Sequence, residues 1–379
     1  MRRSDKTRRR GFSLAELLVA MAMGLVVLAA AVNLFSMALS ASFLVTQRAE
    51  MQQDGRAALD MMAKDISLAG AGIVSGGVQL PDGGGATASL FGCDQNTCYV
   101  NNNDYPINNH FYGVIPNPGV GLSVMTAGGV LSPPTDVLTI AYTDTTFPLN
   151  DYSVALNASG SQATFTVLNP APNPLPVPWP PPAINDPAVG LKAGDLILFS
   201  NSVGQAIGEV TRVNAGGVVD FANGDPLNIN QSTAADGNIQ ALWGGLAPPA
   251  APPPIIATRL QVITYYIDVP VGQDGNRYTA DDGPPRLMRQ VNGQSPAPVA
   301  ENVAGLQVSY DIYDDVSGVA TANLKDAGMS AGKSPNQIRK VNLSVMTRSP
   351  MPGGKRGFQT LNLATSVSAR DMSFKDRYK

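Results

Sequence analysis

An unbroken apolar run near the N-terminus places the first limit on how this 379-residue chain can fold. Residues 17–32 include no polar side chain, and the apolar character extends from Phe12 to Phe35. A helix needs about 20 such residues to cross the hydrocarbon core of a bilayer. Six basic side chains lie within residues 1–10, before the run, and none follows directly after it. Because basic flanking residues stay in the cytoplasm, we expect one membrane span at about residues 12–35, with a cytoplasmic N-terminus and the body outside.

The helical pattern continues beyond this run. Between Thr46 and Ala69 the apolar residues recur at helical spacing among polar ones, at Leu59, Met62, Ile66 and Ala69. A secretory signal cleaved at a small-residue site such as Ala38-Leu39-Ser40 is the alternative for the apolar run, but it would end where this pattern goes on. The sequence therefore predicts one helix over residues 12–70 that is first membrane-spanning and then amphipathic.

The start of the apolar segment contains a carboxylate. Glu16 lies within it, and a charge near mid-bilayer costs at least about 2.5–3.5 kcal/mol, so an ionisable residue there is a functional candidate. A leader ending in Gly11, followed by Phe12-Ser13-Leu14-Ala15-Glu16 and an apolar helix, resembles the class III signal of type IV pilins and pseudopilins. The usual form of that signal is Gly, Phe, Thr, Leu, any residue, Glu, and Ser13 stands where Thr is common.

The resemblance implies a processing reaction. A prepilin peptidase would cut between Gly11 and Phe12 on the cytoplasmic side and methylate the new amino group of Phe12. Gly11 suits such a cut because it has no side chain to obstruct a protease. The carboxylate of Glu16 would then neutralise the amine of Phe12, either on a neighbouring subunit during assembly or within its own chain, helped by the positive end of the helix.

The region after the helix, residues 71–254, is expected to be rich in loops and β-strands. Runs of β-branched and aromatic residues between turn residues predict strands at Val137–Tyr142, Tyr152–Leu156, Ala163–Leu168, Asp195–Phe199 and Ile207–Val213. Two proline-rich stretches, residues 170–182 and 247–254, cannot join a sheet, and we interpret them as stiff surface spacers, with binding to an aromatic groove as the alternative for the first.

The C-terminal region, residues 255–379, has a clearer strand pattern. Five strands are predicted, at Thr258–Asp268, Arg286–Val291, Val303–Tyr313, Ile338–Thr347 and Leu361–Arg370. Their apolar residues alternate, as at Leu306, Val308, Tyr310 and Ile312, or at Val341, Leu343 and Val345. One-sided apolar character suits an antiparallel sheet that covers a helix, and the natural partner is the amphipathic half of the N-terminal helix. The predicted fold class is therefore α+β and pilin-like.

The two cysteines and the single histidine limit the chemistry. Cys93 and Cys98 enclose four residues, and in an exported chain with no other Cys a disulfide is favoured over two free thiols. His110 is expected in an exposed loop. One His and two Cys cannot build a multi-histidine or Cys-only metal site, and no residue pattern supports a hydrolytic triad. We therefore expect no enzymatic activity, no cofactor and no metal site.

An acidic loop is the remaining candidate for a bound ion. It contains Asp274-Gly275-Asn276 and Asp281-Asp282-Gly283. Its carboxylates could hold calcium, but the spacing fits no calcium loop known to us, and a hairpin connection between two strands is the simpler interpretation.

The net charge of −3 combines two different parts. Residues 1–10 hold six of the 26 basic and one of the 29 acidic side chains, so the rest has 20 basic and 28 acidic residues and a net charge of −8. Such an acidic body argues against a nucleic-acid partner.

Further stretches resemble the minor pilin family called PilW more than the shorter pseudopilin J of type II secretion. They are residues 51–59 (Met-Gln-Gln-Asp-Gly-Arg-Ala-Ala-Leu), 63–70 (Ala-Lys-Asp-Ile-Ser-Leu-Ala-Gly) and 364–370 (Ala-Thr-Ser-Val-Ser-Ala-Arg). This resemblance implies a minor pilin that helps to start type IV pilus assembly, near the tip, with other minor pilins, the major pilin, a tip adhesin and the inner-membrane assembly platform as partners. A type II secretion pseudopilin and a membrane-anchored periplasmic binding module that never polymerises stay open as alternatives.

Overall fold

The computed structural model describes residues 13–373 except 75, 82–88, 94–97, 102–109, 127–128, 170, 173–175, 177–178, 235, 247–249, 280, 316, 326–332 and 352–356. The chain forms two compact units, Met1–Glu50 and Met51–Lys379. We call the second unit the head.

One long helix, α1, spans Leu14–Leu68 and confirms the predicted N-terminal helix. In the first unit its large apolar side chains are uncovered: those exposed between Leu14 and Val45 keep 52–78% of their surface accessible. Among the described residues, α1 is the helix long and apolar enough to cross a membrane. Since apolar surface in water costs about 25 cal/mol per Å², this segment requires lipid or other helices around it.

The described residues form strands that are mostly short and antiparallel. In chain order they are β1 (Val78–Gln79), β2 (Leu90–Cys93), β3 (Cys98–Asn101), β4 (His110–Phe111), β5 (Val114–Asn117), β6 (Val137–Asp144), β7 (Tyr152–Leu156), β8 (Gln162–Val167), β9 (Leu196–Ser200), β10 (Gln205–Glu209), β11 (Arg212–Val213), β12 (Val218–Asp220), β13 (Ile256–Asp268), β14 (Arg286–Val291), β15 (Ala297–Glu301), β16 (Val303–Asp314), β17 (Val319–Leu324), β18 (Ile338–Arg348) and β19 (Thr360–Ser368). Single 3₁₀ turns occupy Leu149–Asp151, Ala215–Gly217, Ile239–Trp243, Pro335–Gln337 and Asp371–Ser373.

The long strand β13 organises a seven-stranded sheet. It pairs with β9 near its start and with β14 near its end, while β6 pairs with it on the opposite side. The sheet is completed by β10, β15 and β5. Successive residues of a strand point to opposite faces, and both faces of β13 are buried. Ile263, Tyr265 and Ile267 belong to the core beside α1, whereas Val262 and Tyr266 belong to a second core.

A four-stranded sheet in the order β17-β16-β18-β19 covers the part of α1 that lies in the head. The alternating apolar residues predicted on β16 and β18 are buried, as are the helix residues Leu59, Met62, Ile66 and Ala69, and all belong to one core. This confirms the predicted helix-on-sheet packing. A further sheet, β11-β12-β8-β7, carries a third core formed by the middle of the chain.

The strand predictions differ from the structure in three respects. The region predicted as one strand at Ile207–Val213 is divided into β10, which pairs with β9, and β11, which pairs with β12. β12, β15 and β17 were not predicted: β12 has only three residues, and the Ala, Pro and Asn residues of β15 and β17 give little strand signal. The C-terminal strands also do not form one sheet, since β13, β14 and β15 join strands of the preceding region.

The expectation for His110 was wrong. It is half-buried and begins β4, which pairs with β1, so it does not lie in an exposed loop. The interpretation of the acidic loop as a hairpin connection is confirmed, because β13 and β14 on either side of it are antiparallel partners.

The end of α1 packs tightly against the head through two glycines. Gly70 has a φ of 86°, a left-handed conformation that ends helices, and its amide donates to the Ala141 carbonyl at 2.8 Å. A Cβ on Gly113 would lie only 2.4 Å from the Gly70 Cα.

We predict that Gly113→Ala destabilises the head by about 1–3 kcal/mol, because backbone must move to admit the methyl group. Urea unfolding followed by tryptophan fluorescence measures this. Gly204→Ala is the matched control, since an added Cβ there meets nothing within 4 Å, and its change should stay within about 0.5 kcal/mol. Equal effects of both substitutions would contradict the close approach at Gly113.

Candidate functional site

The start of α1 holds the carboxylate singled out in the sequence. Ser13 precedes the first helical residue, and its backbone amide and hydroxyl donate to Glu16 Oε2 at 2.9 and 3.1 Å. In return, the Glu16 amide donates to Ser13 Oγ at 3.2 Å. This reciprocal pair is a capping box, which satisfies two amides that the first helical turn leaves without partners.

The capping box adds a role for Glu16 that the sequence interpretation overlooked. The pattern Ser-x-x-Glu before an apolar run is itself a helix-start signal and was readable at residues 13–16. Gly11 and Phe12, the predicted processing residues, lie outside the described residues. Both partners in the capping box would remain after a cut between Gly11 and Phe12, so the cap and a pairing with the new amine are compatible.

A buried ionic cluster joins α1 to the seven-stranded sheet. Asp65 is 4% exposed and accepts the Tyr265 hydroxyl at 2.5 Å and Arg289 Nε at 2.9 Å on the same oxygen, Oδ2. Burial, followed by the neighbouring Asp65 carboxylate, raises the pKa of Tyr265. Burial alone would lower the pKa of Arg289, but its hydrogen bonds and charge interactions with Asp65 and Tyr265 together outweigh burial, and the pKa is raised. We call these three residues the Asp65 cluster, and the sequence interpretation missed it.

A second buried cluster contains two acids. Glu209 and Asp225 are 1% and 4% exposed, and their carboxyl groups are hydrogen-bonded to each other. Asp225 also accepts the amides of Ile229 and Asn230, both at 2.8 Å, whereas Glu209 accepts a longer bond, from the Leu227 amide at 3.2 Å. Burial, and then the contact with Asp225, raises the pKa of Glu209 to about 9. The pair therefore holds a proton on Glu209 at neutral pH.

The acidic hairpin loop is held by its own backbone. Asp282 accepts the amides of Tyr278 and Thr279, at 2.6 and 3.1 Å, and Asp281 accepts the Thr279 hydroxyl at 2.8 Å. Over the part of the chain that the structure describes, no group of three or more His, Cys, Asp or Glu side chains is placed to hold a metal ion.

The two cysteines lie opposite each other on neighbouring strands. Cys93 ends β2 and Cys98 begins β3, and the two residues are paired antiparallel. Opposite residues of an antiparallel pair have Cα atoms about 4.5–5.5 Å apart, within the range that a disulfide spans. The disulfide stays a prediction that the backbone register allows.

One comparison with known proteins gives a match. Residues 6–32 match the model of the prokaryotic N-terminal methylation motif, which covers the predicted cleavage site, the capping box and most of the apolar run. No curated protein and no solved structure matches the chain significantly. With the long α1 on antiparallel sheets, the motif makes the chain type IV pilin-like. It implies processing by a prepilin peptidase, contact with pilus machinery and anchoring in the inner membrane.

Proposed function

We propose that the chain is a minor pilin, of the kind called PilW, that is processed after Gly11 and helps to start assembly of a type IV pilus, near its tip. The observation that carries the proposal is the methylation motif at residues 6–32, continuous with a 55-residue helix whose apolar first part has no cover of its own. Other pilins would provide that cover in a filament. The proposed partners are other minor pilins, the major pilin, a tip adhesin and the assembly platform.

The features of the head favour display on the surface of a filament over a catalytic role. The head has more acidic than basic side chains, and the acids of its two clusters, Asp65, Glu209 and Asp225, are no more than 4% exposed. Within the head we propose, from the sequence, an insertion at residues 71–254 and a C-terminal region at residues 255–379, whose strands β13, β14 and β15 share a sheet with strands of the insertion.

Processing is tested by measuring the mass of the N-terminal peptide of the chain purified from its own membrane. The proposal expects a mature chain that begins at methylated Phe12. A chain that still begins at Met1, or one cut after Ser40, would refute it. A gene neighbourhood that encodes a type II secretion system instead of a pilus would favour the pseudopilus alternative.

For Glu16 we propose a role in assembly through the amine of Phe12. Glu16→Ala should leave cleavage intact and lower incorporation into filaments at least about tenfold, because the amine then stays unpaired in an apolar environment. Immunoblots of sheared filaments against whole cells measure incorporation, and N-terminal mass measures cleavage.

Glu16→Gln separates the two roles of this side chain. Glutamine also completes a capping box but carries no charge. If the charge matters, Glu16→Gln fails like Glu16→Ala, whereas Ser13→Ala, which weakens the cap and keeps the charge, incorporates nearly normally. Normal incorporation of Glu16→Gln would show that the cap alone explains the residue.

A further inference from the structure

The strand β19 leaves one side of its backbone without a partner. It pairs with β18 through nine consecutive residue pairs, from Thr360 to Ser368, with no shift in register. Among the described residues, no other strand pairs with it. About half of its amides and carbonyls therefore point to an open edge, which is a template for another strand.

The edge of β19 lacks the features that usually prevent an exposed strand from pairing with another chain. The sequence of β19, Thr-Leu-Asn-Leu-Ala-Thr-Ser-Val-Ser, contains no charge, no proline and no bulge. By contrast, the edge strand β15 has a proline, a Glu and a register shift, and the edge strand β17 is shorter and has a register shift. Proteins use such features to keep an exposed edge strand from pairing with another chain, so their absence favours pairing of β19 with a further strand.

The side chains of β19 also leave apolar surface for a neighbour to cover. Leu361, Leu363 and Val367 face the side of the sheet that carries α1, yet each is only half-buried. The helix lies close above, since a Cβ on Gly55 would lie only 2.5 Å from Leu363 Cδ1. Apolar side chains of an added strand would lie beside α1 and complete the burial of these residues.

The direction of β19 determines which strand can occupy the edge. Leu363 lies next to Gly55 and Met372, just beyond the strand, lies next to Gly70, so β19 runs in the same direction as the helix. Two copies paired antiparallel through β19 would have helices in opposite directions, which two chains anchored in one membrane cannot adopt. The other free edge of that sheet is β17, which is antiparallel to β19, so the β17 of a second copy could pair with β19 while both helices point the same way. However, the register shift of β17 and the left-handed Asn323 disturb its ladder.

We propose that the open edge of β19 binds a strand of a different pilin-like chain. The added strand runs antiparallel to β19, toward the N-terminal end of the helix, and alternates apolar with small uncharged residues. Backbone hydrogen bonds supply the affinity, and the contacts beside Leu363 and Val367 supply selectivity. The inference rests on the proposed pilin function.

Binding is tested with a labelled peptide of residues 341–347, the uncharged part of β18, the natural antiparallel partner of β19, and with its scrambled version. The full chain in detergent should bind the first peptide saturably and the scrambled one at least about tenfold more weakly. Hydrogen exchange should slow for the backbone amides of residues 360–368. Equal binding of both peptides, or protection elsewhere in the chain, would overturn the proposal.

A pair of lysine substitutions distinguishes the edge from the sheet face. Gln307, Ser344 and Ala364 form one row across β16, β18 and β19, and Gln307 and Ala364 are both exposed. Ala364→Lys should weaken peptide binding at least about tenfold, whereas Gln307→Lys, on an interior strand, should not change it. Both variants should melt like the parent, which excludes misfolding as the cause.

The partner is identified in cells by a photo-crosslinking residue at position 364. The expected product joins this chain to a different chain whose N-terminus is a methylated residue of the same signal. Crosslinks only between copies of this chain, or a purified dimer with residues 360–368 already protected, would overturn the choice of partner. Failure of N-terminal processing is read separately by mass, so it cannot be confused with failure at the edge.

Discussion

Asp65→Ala should lower the free energy of unfolding of the head by about 3 kcal/mol or more. Breaking a buried ion pair by removing one partner typically costs about 3–5 kcal/mol, because the other partner stays desolvated. Here the loss leaves both the Tyr265 hydroxyl and Arg289 Nε without their shared acceptor. The value falls toward the lower end because the Arg289 side chain keeps 26% of its surface exposed and can turn to water.

The measurement is urea unfolding of the full chain in detergent, followed by tryptophan fluorescence. Asp60→Ala is the control on the same helix, since Asp60 is exposed and should change stability by no more than about 0.5 kcal/mol. Tyr265→Phe removes the hydroxyl that donates to Asp65 and accepts a longer bond from Arg289 Nε at 3.2 Å, and it should cost about 1–2 kcal/mol. If Asp65→Ala behaves like Asp60→Ala, the cluster does not fasten the helix to the sheet.

Local patterns predicted the elements well where one face alone is buried. The 3–4 spacing at Leu59, Met62 and Ile66 identified the buried face of the helix, and the alternation on β16 and β18 identified the matching sheet face. Two strands, β7 and β14, begin and end at their predicted residues. The spacing of apolar residues alone predicts these elements because one face of each contacts the core and the other contacts solvent.

The arrangement of the strands into sheets could not be predicted in this way. Residues 262–267 of β13 are buried on both faces, so this part of the strand shows no alternation that would reveal its partners. Its pairing with β6 joins residues more than a hundred positions apart and its pairing with β9 joins residues more than fifty apart, which local spacing does not encode.

The same limit applies to the polar clusters. Glu16 was found because its position within an apolar run is unusual, and its capping partner is only three residues away. Asp65 lies 200 residues before Tyr265 in the chain, so nothing near it marks it as buried. Glu209 and Asp225 are closer in sequence, but Glu209 lies within a predicted strand and Asp225 lies between Gly224 and Pro226, as in an ordinary turn, so nothing local marks them as a buried pair.

The head should lose stability as the pH rises from about 5 toward 9. The pKa of Glu209 is raised from 4.5 to about 9, first by burial and then by the contact with Asp225. Between these values the folded state holds a proton that the unfolded state has released, so the free energy of unfolding falls by up to about 1.4 kcal/mol per pH unit. Carboxyl groups with lowered pKa values, such as Asp144 and Asp311, titrate below this window.

Glu209→Gln isolates the effect of this carboxyl group. The amide keeps the shape of the side chain and can donate to Asp225 while accepting the Leu227 amide, but it cannot ionise. Urea unfolding at pH 5, 7 and 9 should therefore show a flatter pH profile for the variant and a gain over the parent at pH 9. Asp195, whose pKa burial also raises, contributes equally to both proteins and cancels in the comparison. Parallel profiles would mean that Glu209 does not retain a proton in the folded head over this pH range.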